Sequence, residues 1–275
     1  MKFSIPLCLL LMTSFGGTAD ANQEAKLRTS TLIEKCGGYK VLFESVEKDE
    51  ESKEKFPRTL AIVAERLDQY AGGVVVNITG SQKAELEFPN SKAWGIHSSS
   101  ALNLVMTTKG EFGIYEVVGR GEAGKHDGSD TIRSFPDFVK DDVHWYVSKE
   151  PLMQKKYIRD ATSSQNDQDN SALDGTIDIH FVESNNGSVQ KFAEHVRATV
   201  GTPMLAALDG RALTSIMLTD MDPQKPFKFK PGFVPTYVRA FSSVIAHRVL
   251  PIEVKLKELS RSRPEGGVVD CPVTY

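Results

Sequence analysis

The sequence predicts an α+β protein whose first half runs β-α-β-β-α-β. Three observations carry this prediction. An apolar repeat at helical spacing lies between runs rich in β-branched residues; two short strands flank the turn GSQK; and a second half pairs an alternating strand with an amphipathic helix and an Asp-Gly hairpin.

In order, YKVLFESV (39 to 46) is a strand, and the charged run EKDEESKEK after it reads as a solvated loop. From Pro57, which suits a first helical turn, Leu60, Val63, Ala64, Leu67 and Ala71 recur on one helical face until Gly72-Gly73 stops it. VVVNIT (74 to 79) and AELEF (84 to 88) are strands, Leu102, Val105 and Met106 mark a helix closing at Gly110, and FGIYEVV (112 to 118) is a strand. This order is the split βαβ of ferredoxin-like domains, giving a base over residues 22–118. Residues 119–142, rich in Gly, Asp and Pro, read as a linker, with Gly119, Gly121 and Gly124 as a candidate hinge.

A smaller α+β head is expected over 143–259. VHWYV (143 to 147) and TIDIHFVE (176 to 183) are its strands, with polar residues 159–175 as a loop between them. Val189, Phe192, Ala193, Val196 and Val200 share a helical face, and Asp209-Gly210 joins two apolar runs as a two-residue turn. TYVRAFSSVIAHRVLP is a last amphipathic helix, IEVKLKEL a strand or helical tail, and 260–275 a C-terminal tail.

MKFSIPLCLLLMTSFGGTADA reads as a secretory signal, with a charge at Lys2, an apolar core and an A-x-A site, so export and cleavage after Ala21 are expected. No later segment is apolar enough to span a bilayer. A net charge of −3 gives no electrostatic reason to expect nucleic-acid binding. Cleavage leaves Cys36 and Cys271; in an oxidising compartment the economical reading is one disulfide, the alternative two separate buried thiols.

Chemical motifs fail their contextual tests. Gly119, Gly121 and Gly124 fit G-x-G-x-x-G, yet no helix opens at Gly124, and His126 stands where a phosphate loop needs Ser or Thr. No pair among His97, His126, His144, His180, His195 and His247 has helical metal-ligand spacing, G-x-S-x-G is absent, and Asp167, Asp169 and Asp174 lack the EF-hand glycine and glutamate. Hence no catalytic residue, cofactor or metal is assigned, and no enzyme is expected. PFKFKPGFVP places Phe227 and Phe229 on one strand face and Lys228 and Lys230 on the other, with Phe233 following. Two readings stay open: an edge strand packing its Phe face inward behind protective lysines, or an edge that takes an extended peptide as an added strand.

Several stretches, taken in order, resemble the first periplasmic domain of the SecD/SecDF protein-export family. They are KCGGYKVLFESVE, IVAERLDQYAG, AELEFP, KEPLMQKKYIRDA, IDIHFVESNNGSVQKFAEHVRATVG, PMLAALDGRALTS and VIAHRVLPIEV, spread over roughly residues 34 to 256. The resemblance implies a base and head, and non-enzymatic handling of unfolded or exported polypeptide in the envelope, in company with a translocation component. An envelope scaffold that kept the fold without chain handling is the alternative. The family's proton-driven membrane helices are not carried over. TSIMLTDMDP and FKFKPGF depart from the family's small-residue and glycine-bearing elements, so the head's partner contacts are not carried over either.

Overall fold

The computed structural model describes residues 29–31, 33–89, 99–124, 130–165, 175–182 and 187–262. They divide into two compact units: one formed by residues up to Thr108 together with those from Leu250 onward, the other by Lys109–Val249.

In the first unit the strands β1 (Gly38–Ser45), β2 (Val75–Gly80), β3 (Lys83–Pro89) and β13 (Val254–Ser262) form an antiparallel sheet of order β13-β1-β3-β2. The register sets Tyr39 opposite Phe88, Val41 opposite Leu86 and Phe43 opposite Ala84. Period-two alternation therefore collects all six on one face, where all are buried. The helices α1 (Glu50–Ala71) and α2 (Ser99–Thr107) bury Phe56, Leu60, Val63 and Leu67, and Leu102, Val105 and Met106. Arg66, fully buried on α1, donates from Nη1 to the carbonyls of Thr108 at 2.6 Å and Val105 at 3.4 Å, so it satisfies orphan carbonyls at the end of α2. The opposite sheet face is charged: the Glu44 carboxylate lies 3.3–4.0 Å from Lys48, Lys83, Lys255 and Lys257. Burial opposes its charge, but Lys257, Lys48 and Lys255 outweigh that and hold its pKa below the ordinary value.

Two expectations are corrected here. The strand closing this sheet beside β1 is β13, not residues 112–118, which belong to the other unit. Both runs have β-forming patterns, and the choice rests on long-range pairing that no local signal encodes. The charged run after β1 is not all loop, since α1 begins at Glu50. The Asp49 side chain accepts from the Ser52 N–H at 2.6 Å, Glu50 and Glu51 complement the helix dipole, and both pair with lysines one turn on. Pro57 consequently sits inside the helix rather than at its start.

Among the described residues the second unit holds two sheets. One contains β4 (Phe112–Gly121), β5 (Ile132–Pro136), β6 (His144–Ser148), β10 (Pro203–Leu208) and β11 (Arg211–Met217) in the order β11-β10-β4-β6-β5, with β7 (Met153–Gln154) paired to β4. Its two outer strands meet: Asp137 bridges Ala212, the Phe138 N–H donates to the Ala212 carbonyl at 2.9 Å, and Arg211 donates to the Asp137 carbonyl at 3.1 Å and to the Asp141 carboxylate. Phe135, Val147, Leu205, Ala207 and Ala212 form a buried cluster, with Tyr115, Val117 and Trp145 packed against it. The other sheet, β12-β9-β8, consists of β8 (Ile158–Gln165), β9 (Gly175–Phe181) and β12 (Phe227–Phe229). The helix α4 (Pro235–Ala246) packs on β8 and β9. Gly175 admits that approach, because a Cβ there would lie 2.8 Å from Val238. In α3 (Ser188–Ala198) the faces of Val189, Phe192, Ala193 and Val196 are buried as their spacing predicts, while Val200 lies past the helix end and is exposed.

The observed units and the expected domains divide the chain at different places. The unit break falls at Thr108/Lys109 and Val249/Leu250, so the expected 119–142 linker and 143–259 head do not match the observed units. Residues 132–136 are a strand, and Gly119 and Gly121 lie within β4, opposite Tyr146 and His144. Gly124, at φ +88°, occupies a turn. Pairing with β6 runs from Val117 to Gly121, so Gly119 and Gly121 sit in a sheet ladder rather than in a free connection. The polar run from Ile158 to Gln165 is likewise a strand: it needs only one buried face, supplied by Ile158 and Ala161.

Candidate functional site

The edge strand β12 arranges FKF as its alternation predicts. Phe227 and Phe229 are both 4% exposed, while Lys228 points outward and forms an ion pair with Asp178 at 3.0 Å. Lys228 and Asp178 are direct cross-strand partners in the β12-β9 register. The Phe227 ring packs against Phe181, Phe192 and Phe229, with centroids about 6 Å apart, and Phe229 stacks on Phe112 at 6.3 Å. Phe233, half-buried, meets Phe138, Tyr237 and Phe241 at 5.1–6.1 Å. Lys230 is exposed. The aromatic rings of the strand thus serve the interior of the unit, leaving its outer side with backbone and lysine side chains.

The Asp-Gly turn lies elsewhere in the same unit. Asp209 adopts φ +49° and Gly210 φ +73°, the pair of left-handed residues that a tight two-residue hairpin requires. The Asp209 carboxylate accepts from the N–H groups of Gly110 at 2.9 Å and Glu111 at 2.6 Å, fastening the hairpin tip to the start of β4. Burial raises its pKa above the ordinary value, against the pull of these N–H donors. At the sheet seam the Asp137 carboxylate accepts from Val139 N–H at 3.0 Å, Lys140 N–H at 3.2 Å and Trp145 Nε1 at 3.1 Å. Burial works against its charge, yet those donors together with Arg120 hold its pKa down.

The remaining sequence candidates are scattered. Ser134 Oγ lies 2.8 Å from His144 Nδ1 on an exposed part of the sheet, and His195 Nε2 lies 3.9 Å from Glu116. His247 Nδ1 lies 2.8 Å from the carbonyl of Ser243. His180 is on β9, remote in sequence from any histidine partner. His97, His126, Asp167, Asp169 and Asp174 lie outside the described residues, and among those described no three His, Cys, Asp or Glu side chains are grouped as metal ligands. Cys36 is buried just before β1, whereas Cys271 lies outside the described residues.

A cavity of about 670 Å³ in the second unit was not anticipated from the sequence. Its lining includes Tyr115, Arg133, Lys156, Arg159 and Arg248. Burial raises the pKa of the Tyr115 phenol, partly offset by the neighbouring Arg133. The available signal was the density of cations in KKYIR, residues 155 to 159.

No known protein family and no curated protein matches the sequence. Solved structures do. A structure described as SecDF in a super-membrane-facing form matches with a TM-score of 0.52 at 15% identity, over 83% of this chain and 31% of that one. A structure described as a membrane component, SecDF, that enhances protein export matches at 16% identity and a TM-score of 0.47, over 80% of this chain and 98% of that one. A third, SecDF from Thermus thermophilus, described as translocon-associated, matches at 16% identity and a TM-score of 0.32, over 92% of this chain and 34% of that one. The chain therefore spans less than a third of the length of the first SecDF chain it matches, and none of its described helices is long and apolar enough to cross a membrane. Over most of its length this chain has a SecDF-like fold, mixed α+β with several antiparallel sheets, of the kind its sequence resembles in the periplasmic part of SecD/SecDF.

Proposed function

We propose that this protein is an exported, non-enzymatic, SecD-like factor that handles polypeptides during protein export in the envelope, acting beside a translocation component. The observation that carries this reading is the SecDF fold likeness over 83% of the chain, together with the ordered resemblance in sequence. In this reading the signal is removed after Ala21, the mature chain works in the periplasm, and Cys36 pairs with Cys271; two thiols detected per mature chain under non-reducing denaturation would exclude the pair.

Chain contact on this reading uses the backbone edge of β12 and its lysines, not an aromatic surface, because Phe227 and Phe229 are committed to the interior. The test is titration of the mature chain with a permanently unfolded protein, followed by fluorescence anisotropy. Saturable micromolar binding is expected, and no binding at high micromolar concentration would remove the reading. The same buried rings favour the second reading, an envelope scaffold without chain handling; that outcome would appear as capture of a folded envelope protein together with indifference to unfolded chains.

A further inference from the structure

We propose that the cavity of the second unit binds an acidic, extended segment of polypeptide. The inference rests on the polypeptide-handling reading above and names the class of chain that this site selects.

Five cations line the cavity: Arg133 from β5, Lys155 and Lys156 from the 3-10 turn Lys155–Tyr157, Arg159 from β8 and Arg248 after α4. Only two carboxylates face them, Glu111 and Glu150, and Glu111 is already engaged by Lys109 at 2.6 Å. This concentration of positive charge stands in a chain of net charge −3. Lys155 donates to the carbonyl of Ile245 at the end of α4, which gives it a structural task. Arg133, Lys156 and Arg159 differ, since none of the three forms an ion pair among the described residues. Lys156 lies 5.0 Å over the Tyr157 ring and Arg133 beside the Tyr115 phenol, both neutral partners that leave the charge unspent. Elsewhere the cations of Lys40, Lys48, Arg197, Arg211, Lys228 and Lys255 lie against carboxylates.

The shape of the site decides the kind of anion. Three cations come from the stretch 155–159, Arg133 from β5 and Arg248 from after α4, so the site offers several cationic groups, which suits a segment carrying more than one carboxylate. A lipid surface is too flat to enter a concave site, and the net negative charge of the chain disfavours nucleic acid. Phe112, Pro151 and Val249 on the wall give the aliphatic parts of a peptide an apolar surface. Rim cations of this kind confer selectivity and speed of encounter, so binding weakens as salt rises.

The experiment uses the mature chain and a fluorescein-labelled ten-residue Asp/Glu/Ser peptide, with an Asn/Gln/Ser counterpart as its neutral control. The acidic peptide is expected to bind at least tenfold tighter than the control, with affinity falling as salt rises. R133Q/K156Q/R159Q should lose at least tenfold of that affinity while K191Q, on α3, loses none; circular dichroism checks folding, and the single variant R159Q, at an exposed position, replaces the triple variant if that one fails to fold. Equal affinity for the two peptides, or an unchanged affinity in the variants, overturns the proposal. So does displacement of the peptide by inorganic phosphate at equal concentration, or tighter binding to phosphatidylglycerol vesicles than to the peptide. If an uncharged unfolded chain binds wild type and triple variant alike while the acidic peptide is not preferred, this site fails and polypeptide handling stands. If the acidic peptide binds through these cations and unfolded proteins do not bind at all, the site stands and the broader reading fails.

Discussion

Replacing Phe229 by Ala separates an interior role for the β12 aromatics from a surface role. Phe229 is 4% exposed and lies against Phe112 and Phe227, with centroids 6.3 and 6.0 Å away. Truncation to Ala removes about 150 Å² of buried apolar area, worth about 4 kcal/mol at about 25 cal/mol per Å². Residual burial in the unfolded chain lowers this to about 3 kcal/mol, and the cavity left behind restores some of the loss, so about 3–4 kcal/mol is expected. For a unit of this size that is a fall in Tm of roughly 6–16 °C. The assay is urea unfolding followed by Trp145 fluorescence in a W94F background, with the m value checked for constancy. K228Q, which removes only an ion pair whose lysine is 62% exposed, should cost under about 1 kcal/mol. A loss below about 1 kcal/mol for F229A at constant m would refute the packing argument and return the aromatic strand face to the surface.

Further perturbations test the turn and the seam of the same unit. D209A should cost about 2–3 kcal/mol in urea unfolding, because Ala at φ +49° is strained and both N–H bonds are lost; D209N, which tolerates that φ and keeps an acceptor, should cost about half as much. D209G should fall between them, since it relieves the backbone but makes no hydrogen bond. For Asp137 the folded pKa lies below the ordinary aspartate value of 3.8, so its stabilisation is present above that pH and drains away as pH falls through the folded pKa. The stability difference between wild type and D137N should accordingly be largest near neutrality and shrink on acidification, and a difference that grows below pH 3.8 would contradict the sign.

The short-range features of this fold were largely legible. The α1 face, the strands flanking GSQK, the α3 face and the Asp209-Gly210 hairpin follow from periods and turn residues that act over a few positions. Residues 132–136 and 158–165 were hidden because Ser, Thr, Arg and Pro dilute their pattern, and each needs few buried side chains to hold its place. The partner of β1 was hidden for another reason. FGIYEVV and the strand from Val254 are both good β sequences, and only distant pairing decides which closes the sheet. At the candidate site the Phe-in, Lys-out order of β12 was readable, but the burial of its face was not, since burial depends on Phe112, Phe181 and Phe192 arriving from three other elements. Likewise Arg133 and Arg248 lie far in sequence from Lys155, Lys156 and Arg159, so only the cation-rich KKYIR hints at the cavity.

The return of β13 to the side of β1 sets the order in which the protein can be completed. A chain emerging from its N-terminus delivers β1, α1, β2, β3 and α2 early, yet the first sheet stays one strand short until residues 254–262 appear. Every described strand of the second unit has emerged by then. The inserted unit can thus mature while its host waits with one edge of β1 unsatisfied, the kind of open edge that recruits other strands. The interval between the emergence of Ser45 and Val254 is therefore the period in which this protein itself most needs protection from aggregation.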